Sequence, residues 1–175
     1  MKKLLSIFLF CLLVGCTNNN TPKEEVEALF YKFNSLDTEV ISQLDNAINN
    51  TNMNDTHKKR YKDIFIKQYK NLKHNIKEEN IINTNAIVIT EIEVYDLNYV
   101  RKNLDMYLDE DPDIFDDSQG VFNDDDYWDY KLTKMESTTK RVKYILELSL
   151  TRIDGIWILD NLIDSERKKI HGLYN

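Results

Sequence analysis

Glycine, proline and cysteine are all scarce, with four, two and two in 175 residues. So few glycines leave no phosphate-cradling loop, and neither the GxGxxG spacing nor the P-loop spacing occurs. Both cysteines, Cys11 and Cys16, fall within the first sixteen positions. Everything downstream therefore has no disulfide, no thiol nucleophile and no thiolate metal site. Only three histidines are present, His57, His74 and His171. None belongs to an HExxH motif or stands beside a serine and an aspartate, and His57 and His74 lie among lysines, which repel a cation. No metal site and no cofactor are expected. Basic residues are in deficit as well. Residues 16–175 hold 21 Lys and Arg against 30 Asp and Glu, a formal charge of −9. That balance argues against general nucleic-acid binding.

The apolar run Leu4 to Val14 is 11 residues long. As a helix it covers about 16 Å, roughly half a bilayer's hydrocarbon core. It follows Lys2 and Lys3, the flank of a secretory signal rather than of a spanning helix. Leu13-Val14-Gly15-Cys16 resembles the lipobox of bacterial lipoproteins. The resemblance implies that residues 1–15 are a signal peptide, that the Cys16 thiol receives a diacylglyceryl group, and that cleavage leaves Cys16 at the amino end. Acyl chains at about 0.8 kcal/mol per buried CH2 would hold the chain on a lipid bilayer, at the outer face of the cell membrane. Residues 16–20 are then the lipidated cysteine and a polar tether, whose asparagines hold the folded part clear of the membrane. Residues 21–175 make a single domain, long enough to bury a core without disulfides.

Thr21-Pro22-Lys23-Glu24 is a helix start, with Thr as N-cap, Pro in the first turn and Glu three residues after the cap. Val26, Leu29, Phe30 and Phe33 give that helix one apolar face. Ser35-Leu36-Asp37 offers capping groups for a second helix, or a bent continuation, carrying Val40, Ile41, Leu44 and Ile48. A polar loop, 49–54, precedes a third helix capped by Asp55, with Tyr61, Ile64, Phe65, Tyr69 and Leu72 inward. Residues 76–82 read as a strand and 83–85 as a turn. Residues 86–95 (AIVITEIEVY) alternate, with Val88, Ile92 and Val94 on one face and Glu91 and Glu93 on the other. A helix is expected over 98–108 and another over 127–139, with an acidic loop at 109–126 between them. In 141–152, Val142, Tyr144, Leu146, Leu148 and Leu150 share a face. Asp154-Gly155 predicts a type I′ hairpin turn, and 156–159 the returning strand. Asp164 or Ser165 caps a last helix, which Gly172 stops. The order α-α-α-β-β-α-α-β-β-α predicts an α+β domain with an antiparallel sheet.

The opening helix TPKEEVEALFYKF, the long helical region after it and the late hairpin RVKYILELSLTRIDGIWILDNL together resemble the nuclear transport factor 2-like superfamily. The Asp154-Gly155-x-Trp157-x-Leu159 segment is similar to the last hairpin of many such domains. The closer similarity is to lipid-anchored members from low-GC Gram-positive bacteria, which suits a chain rich in Lys, Ile and Asn. The resemblance covers roughly residues 22–174. It implies a curved sheet wrapped by helices into a cone with a pocket. The helical insertion at 98–139 departs from the simple pattern and leaves the strand order open. Members of the superfamily include enzymes, binding modules and assembly domains, so the fold alone assigns no function.

Tyr95, Trp128, Tyr144 and Trp157 are the candidates for an aromatic pocket wall, with core packing as the alternative. Glu91, Glu93 and Glu147 are the carboxylates that an enzyme with an apolar cup would use, although alternation puts them on the solvent face. Residues 109–129 hold ten acids and no base. Crowded carboxylates suit Ca²⁺, but the glycine and the twelfth position do not fit an EF-hand loop. Residues 57–77 hold eight Lys or Arg and one acid. That basic face suits anionic headgroups, a wall polymer, or the acidic segment of the same or a neighbouring chain. The reading favoured by these residues is a non-enzymatic, membrane-anchored binding or interaction domain whose partner is a small apolar molecule, a wall polymer or a protein. A pocket-carboxylate enzyme and a cation-responsive surface protein are the alternatives.

Overall fold

The computed structural model describes residues 20–175; Cys16 and the expected signal segment lie outside the described residues. Ten elements follow in the expected order. They are α1 (Pro22–Ser35), α2 (Thr38–Asn49), α3 (Asp55–Lys70), β1 (Lys73–Ile82), β2 (Asn85–Tyr95), α4 (Leu97–Glu110), α5 (Asp124–Ser137), β3 (Arg141–Ile153), β4 (Ile156–Leu159) and α6 (Asp164–Ile170). The strands form one antiparallel, curved, unclosed sheet in the order β1-β2-β3-β4, a simple meander despite the helical insertion between β2 and β3.

Local chemistry explains most boundaries. Thr21 and Glu24 close a reciprocal capping box at α1, the Thr21 side chain accepting from Glu24 N and the Glu24 carboxylate from Thr21 N. Leu36 ends α1 in the left-handed region, at φ 58°, and Asp37 caps α2 through Glu39 N, so α1 and α2 are two helices and not one bent one. Two expected caps move, and one helix starts earlier than expected. Asn54, not Asp55, accepts from His57 N at the start of α3. Asn123 caps α5, which starts three residues before Tyr127 and shortens the acidic loop to 111–123. Ile163 holds the cap position of α6 without a side-chain acceptor, and the Glu166 carboxylate takes its N–H instead. The Asp154-Gly155 turn has φ 51° and 87°, as type I′ requires.

The two faces of the sheet differ sharply. Ala86, Val88, Thr90, Ile92 and Val94 of β2 and Leu146, Leu148 and Leu150 of β3 are buried, with Trp157 of β4 beside them. α1 lies across this face with Val26 and Phe30 wholly buried, and α3 stacks behind it through Ile64, Phe65 and Tyr69. Period-2 alternation sends Glu91 and Glu93 to the outer face. There Lys143 and Lys77 bond Glu91, and Lys73 pairs with Glu93, holding both carboxyls below the usual carboxylate range.

α6 ends in a Schellman arrangement, with Gly172 N bonded to Lys169 O and Leu173 N to Lys168 O. Gly172 has φ +69°, and a Cβ there would lie 2.1 Å from Tyr95 O. The wholly buried Gln68 uses both ends of its amide on the end of β2. Its Nε2 donates to Tyr95 O at 3.1 Å and its Oε1 accepts from Tyr95 N at 2.9 Å. The carboxyl-terminal turn, α3 and the end of the sheet are thereby tied at one point.

A candidate binding cleft between α1, α2 and α6

The concave face of the sheet has no room for a ligand, because side chains of the same chain fill it. The four aromatic candidates do not converge. Tyr95 lies on the outer face beneath the guanidinium of Arg141, 4.6 Å from its ring centroid, with Lys67 Nζ at 5.1 Å. Trp128 packs edge-on to Tyr127 and carries Lys131 Nζ over its ring at 4.5 Å. Tyr144 is on the core face, where its hydroxyl donates to Tyr174 O at 3.1 Å. Trp157 is buried core at the opposite end of the sheet from Tyr95. None of the four lines the five main clefts among the described residues. Trp157 is part of the core, and Tyr95, Trp128 and Tyr144 are half-buried against it.

A different constellation does line a cavity. Phe33 of α1, Val40, Gln43, Leu44 and Ala47 of α2, Leu162 before α6, and Arg167 and Lys168 of α6 enclose about 300 Å³ floored by Tyr69, Ile170 and His171. It adjoins a wider depression of about 640 Å³, which shares Phe33 and Arg167 among others, runs to Ile158 and Leu159, and has three acids, Glu25, Glu39 and Asp160, against Lys32 and Arg167. On the floor, the Tyr69 hydroxyl and His171 Nε2 are 3.0 Å apart, and the imidazole packs edge-on against Phe65. Burial, with Arg167 nearby, pushes the imidazole down to about 4. Burial pushes the Tyr69 hydroxyl well above the ordinary tyrosine range. Both groups are therefore neutral near pH 7, sharing one hydrogen bond. Neither is poised to exchange protons there, and no serine or threonine hydroxyl lines the cavity. The rim is charged. Lys168 Nζ is 2.7 Å from Asp164 Oδ2, and Arg167 donates to Leu162 O. An apolar wall, a neutral polar floor and a rim on which Asp164 offsets Arg167 and Lys168 suit an apolar body with one polar end.

Sequence reasoning gave Phe33, Val40, Leu44 and Tyr69 as helix faces turned inward, and gave His171 no role. His171 and Tyr69 stand 102 positions apart, so only the fold brings them together.

The acidic and basic segments find each other within the chain. Arg60 of α3 holds Glu136 of α5 through two parallel bonds of 2.8 and 3.0 Å and reaches Asp129 at 2.6 Å. His57 Nε2 is 3.1 Å from the same Asp129, and Asn54 donates to Asp125 at 2.8 Å. Arg60 holds the Glu136 carboxyl below its ordinary value. In the loop itself, the Asp117 side chain accepts from Gln119 N and Val121 N, which closes a turn. Among the described residues no three acidic or histidine side chains gather as a metal ion would require. Glu147 is exposed on the outer face, and no described helix is long and apolar enough to cross a membrane.

No family model matches the chain, and neither a curated protein nor a solved structure does so.

Proposed function

We propose that this chain is a lipoprotein held on the outer face of the cell membrane through an acylated Cys16, and that its domain binds rather than catalyses. The observation that carries the anchoring is the tetrapeptide Leu13-Val14-Gly15-Cys16, closing an 11-residue apolar run after two lysines. Cys16 is also the only thiol left once that run is removed. The binding reading rests on the cleft. It is apolar, rimmed by Arg167, Lys168 and the Asp164 that pairs with them, and floored by two groups that stay neutral near pH 7. Its occupant on this reading is a small apolar molecule with a polar end. The nuclear transport factor 2-like build is part of the same proposal, supported by the order of elements and by the curved meander with helices against one face.

Metabolic labelling with an alkynyl palmitate tests the anchor. The native chain takes the label and sediments with membranes, whereas Cys16→Ala takes none and passes to the medium. Unchanged fractionation of the Cys16→Ala protein would sink the anchoring. For the cleft, native mass spectrometry of gently extracted protein should find a bound apolar mass that is lost in Gln43→Trp. Gln43 is exposed and lines both parts of the cleft, so a large ring there fills the space without entering the core.

A further inference from the structure

Asn20, expected in a free tether, is part of the fold. Its side-chain amide donates to Trp157 O at 2.7 Å and accepts from Trp157 N at 2.8 Å, satisfying both backbone groups of a residue on the open edge of β4. Trp157 is one residue from each of Ile156 and Ile158. Four peptide units separate Cys16 from Asn20, and at about 3.6 Å per residue fully extended they reach at most about 14 Å. A lipid on Cys16 is thus confined to the neighbourhood of one corner of the domain, the corner at the free edge of β4.

The outer face of the sheet changes character at that corner. Ile153 pairs with Ile156, and one row spans the sheet as Ile82, Asn85, Thr151 and Ile158. Ile87 comes next, opposite Ser149. These five isoleucines are 43% to 71% exposed, and no helix covers them. The next row along the same face is Glu78, Ile89 and Glu147, with both carboxylates exposed, and beyond it the rows become Glu91, Glu93, Lys73, Lys143 and Arg141, joined in ion pairs. Charge borders the apolar end on both sides, with Glu78 and Glu147 in the row after Ile87 and three charged residues by the hairpin. Asp160 accepts from the Thr151 hydroxyl, while Asp154 and Arg152 sit at the hairpin tip with opposite signs.

We infer that the isoleucine end of the outer sheet face is a membrane-contact surface, seated in the headgroup region of the bilayer that holds Cys16. The inference rests on the lipid anchor proposed above. The short reach from Asn20 selects the bilayer over other occupants, because the near edge of the patch, Ile156 and Ile158 beside Trp157, is then a few residues from the chain's own lipid. A β-branched surface of this kind dips about 5–10 Å into the interface at its hairpin end, while the Glu78 and Glu147 row and the ion-paired end of the sheet stay in water.

The test uses tryptophan quenching by phospholipids brominated near the headgroup. Acylated protein carrying Ile156→Trp, an exposed strand position that tolerates a ring, is placed in vesicles of phosphatidylcholine and phosphatidylglycerol. Ile158→Trp serves as a second probe, and Asp117→Trp, in the acidic loop, as the control. The emission added at 156 or 158 should fall about twofold or more with brominated lipid, and that added at 117 should not change. Flotation reports anchoring separately. Protein that floats with its added tryptophan unquenched overturns the contact surface and leaves the anchor standing. If cells leave Cys16 bare, the anchor proposal fails. The same thiol, the only one in residues 16–175, is then coupled to a maleimide phospholipid and the quenching decides the surface as before. An added tryptophan shielded from acrylamide yet unquenched by brominated lipid would mean that a second copy covers the patch, and would overturn the inference too.

Discussion

His171 should make the protein sensitive to mild acid, and its surroundings set the size of the effect. Burial against Phe65 and Tyr69 lowers its pKa from 6.5 to about 4, and Arg167 acts in the same direction. Above pH 6.5 the imidazole is neutral folded and unfolded, and this contribution to stability is fully present. Between 6.5 and about 4 the unfolded chain binds a proton that the folded chain refuses, so stability falls as pH falls. Each pH unit in that window costs up to about 1.4 kcal/mol. From about pH 7 to pH 5 the loss is therefore about 2 kcal/mol, and the full shift sets a ceiling of about 3. The ring is partly open to the cleft, so water screening brings the measured loss below these values. The lowered carboxyls, Glu91, Glu93, Glu136 and Asp164, act in the same direction but at lower pH, where their unfolded forms protonate. Urea unfolding followed by tryptophan emission at the two pH values measures the effect. His171→Gln, which keeps a partner for the Tyr69 hydroxyl but cannot titrate, is the comparison. The native protein should lose at least about 1 kcal/mol more than the variant between pH 7 and 5. Equal losses would refute the reasoning, because they would mean that His171 has no proton to refuse.

Gly172→Ala should be much worse than the same change at Gly155. Both have positive φ and share a cost of about 1–2 kcal/mol, but only at 172 does the new Cβ meet backbone, 2.1 Å from Tyr95 O. Overpacking adds about 1–3 kcal/mol, so melting should fall by roughly 5–15 °C at 172 and by only a few degrees at 155, read by calorimetry. Asn20→Ala removes both bonds to Trp157 and should cost about 1–2 kcal/mol in urea unfolding, with faster amide exchange confined to β4. A double-mutant cycle on Arg60 and Glu136, each to Ala, should give a coupling of about 1 kcal/mol that shrinks in molar salt, since the pair is only partly buried.

Hydrophobic periodicity and turn chemistry made the order of elements readable, because each signal acts within a few residues. The capping box at Thr21, the Asp154-Gly155 turn and the alternation in β2 and β3 are local events, and they appear where the residues put them. Boundaries moved where two polar neighbours competed for one cap, as at Asn54 and Asp55. The candidate site was much less legible. Tyr95, Trp128, Tyr144 and Trp157 drew attention as large aromatics, yet size says nothing about whether a ring meets a cavity or a neighbour. Tyr69 and His171 meet across 102 positions through the docking of α6 on α3, which no window of the sequence contains. Asn20 shows the same limit, since asparagine in a polar run looks like tether until an open strand edge stands opposite it.

Under the binding function proposed above, a filled sheet face moves the site off the sheet. In a cone with an empty mouth, cargo would sit on β2 and β3, but Val88, Ile92, Leu146 and Leu148 already occupy that space against α1 and α3. The room that remains lies at the margin, where α2 packs on α3 and leaves its Val40 and Gln43 side over a gap toward α6. The wider part of that gap is walled by Ile158, Leu159 and Glu25. Ile158 also belongs to the isoleucine end of the outer face, and Asn20 bonds both Glu25 and Trp157. Cleft mouth, tether and apolar sheet end therefore share the β4 edge. With Cys16 acylated, that edge is the part of the domain nearest the bilayer. An apolar ligand leaving the membrane would then meet the cleft before it met open water, and the charged rim of Arg167, Lys168 and Asp164 would keep its polar end back at the headgroup level.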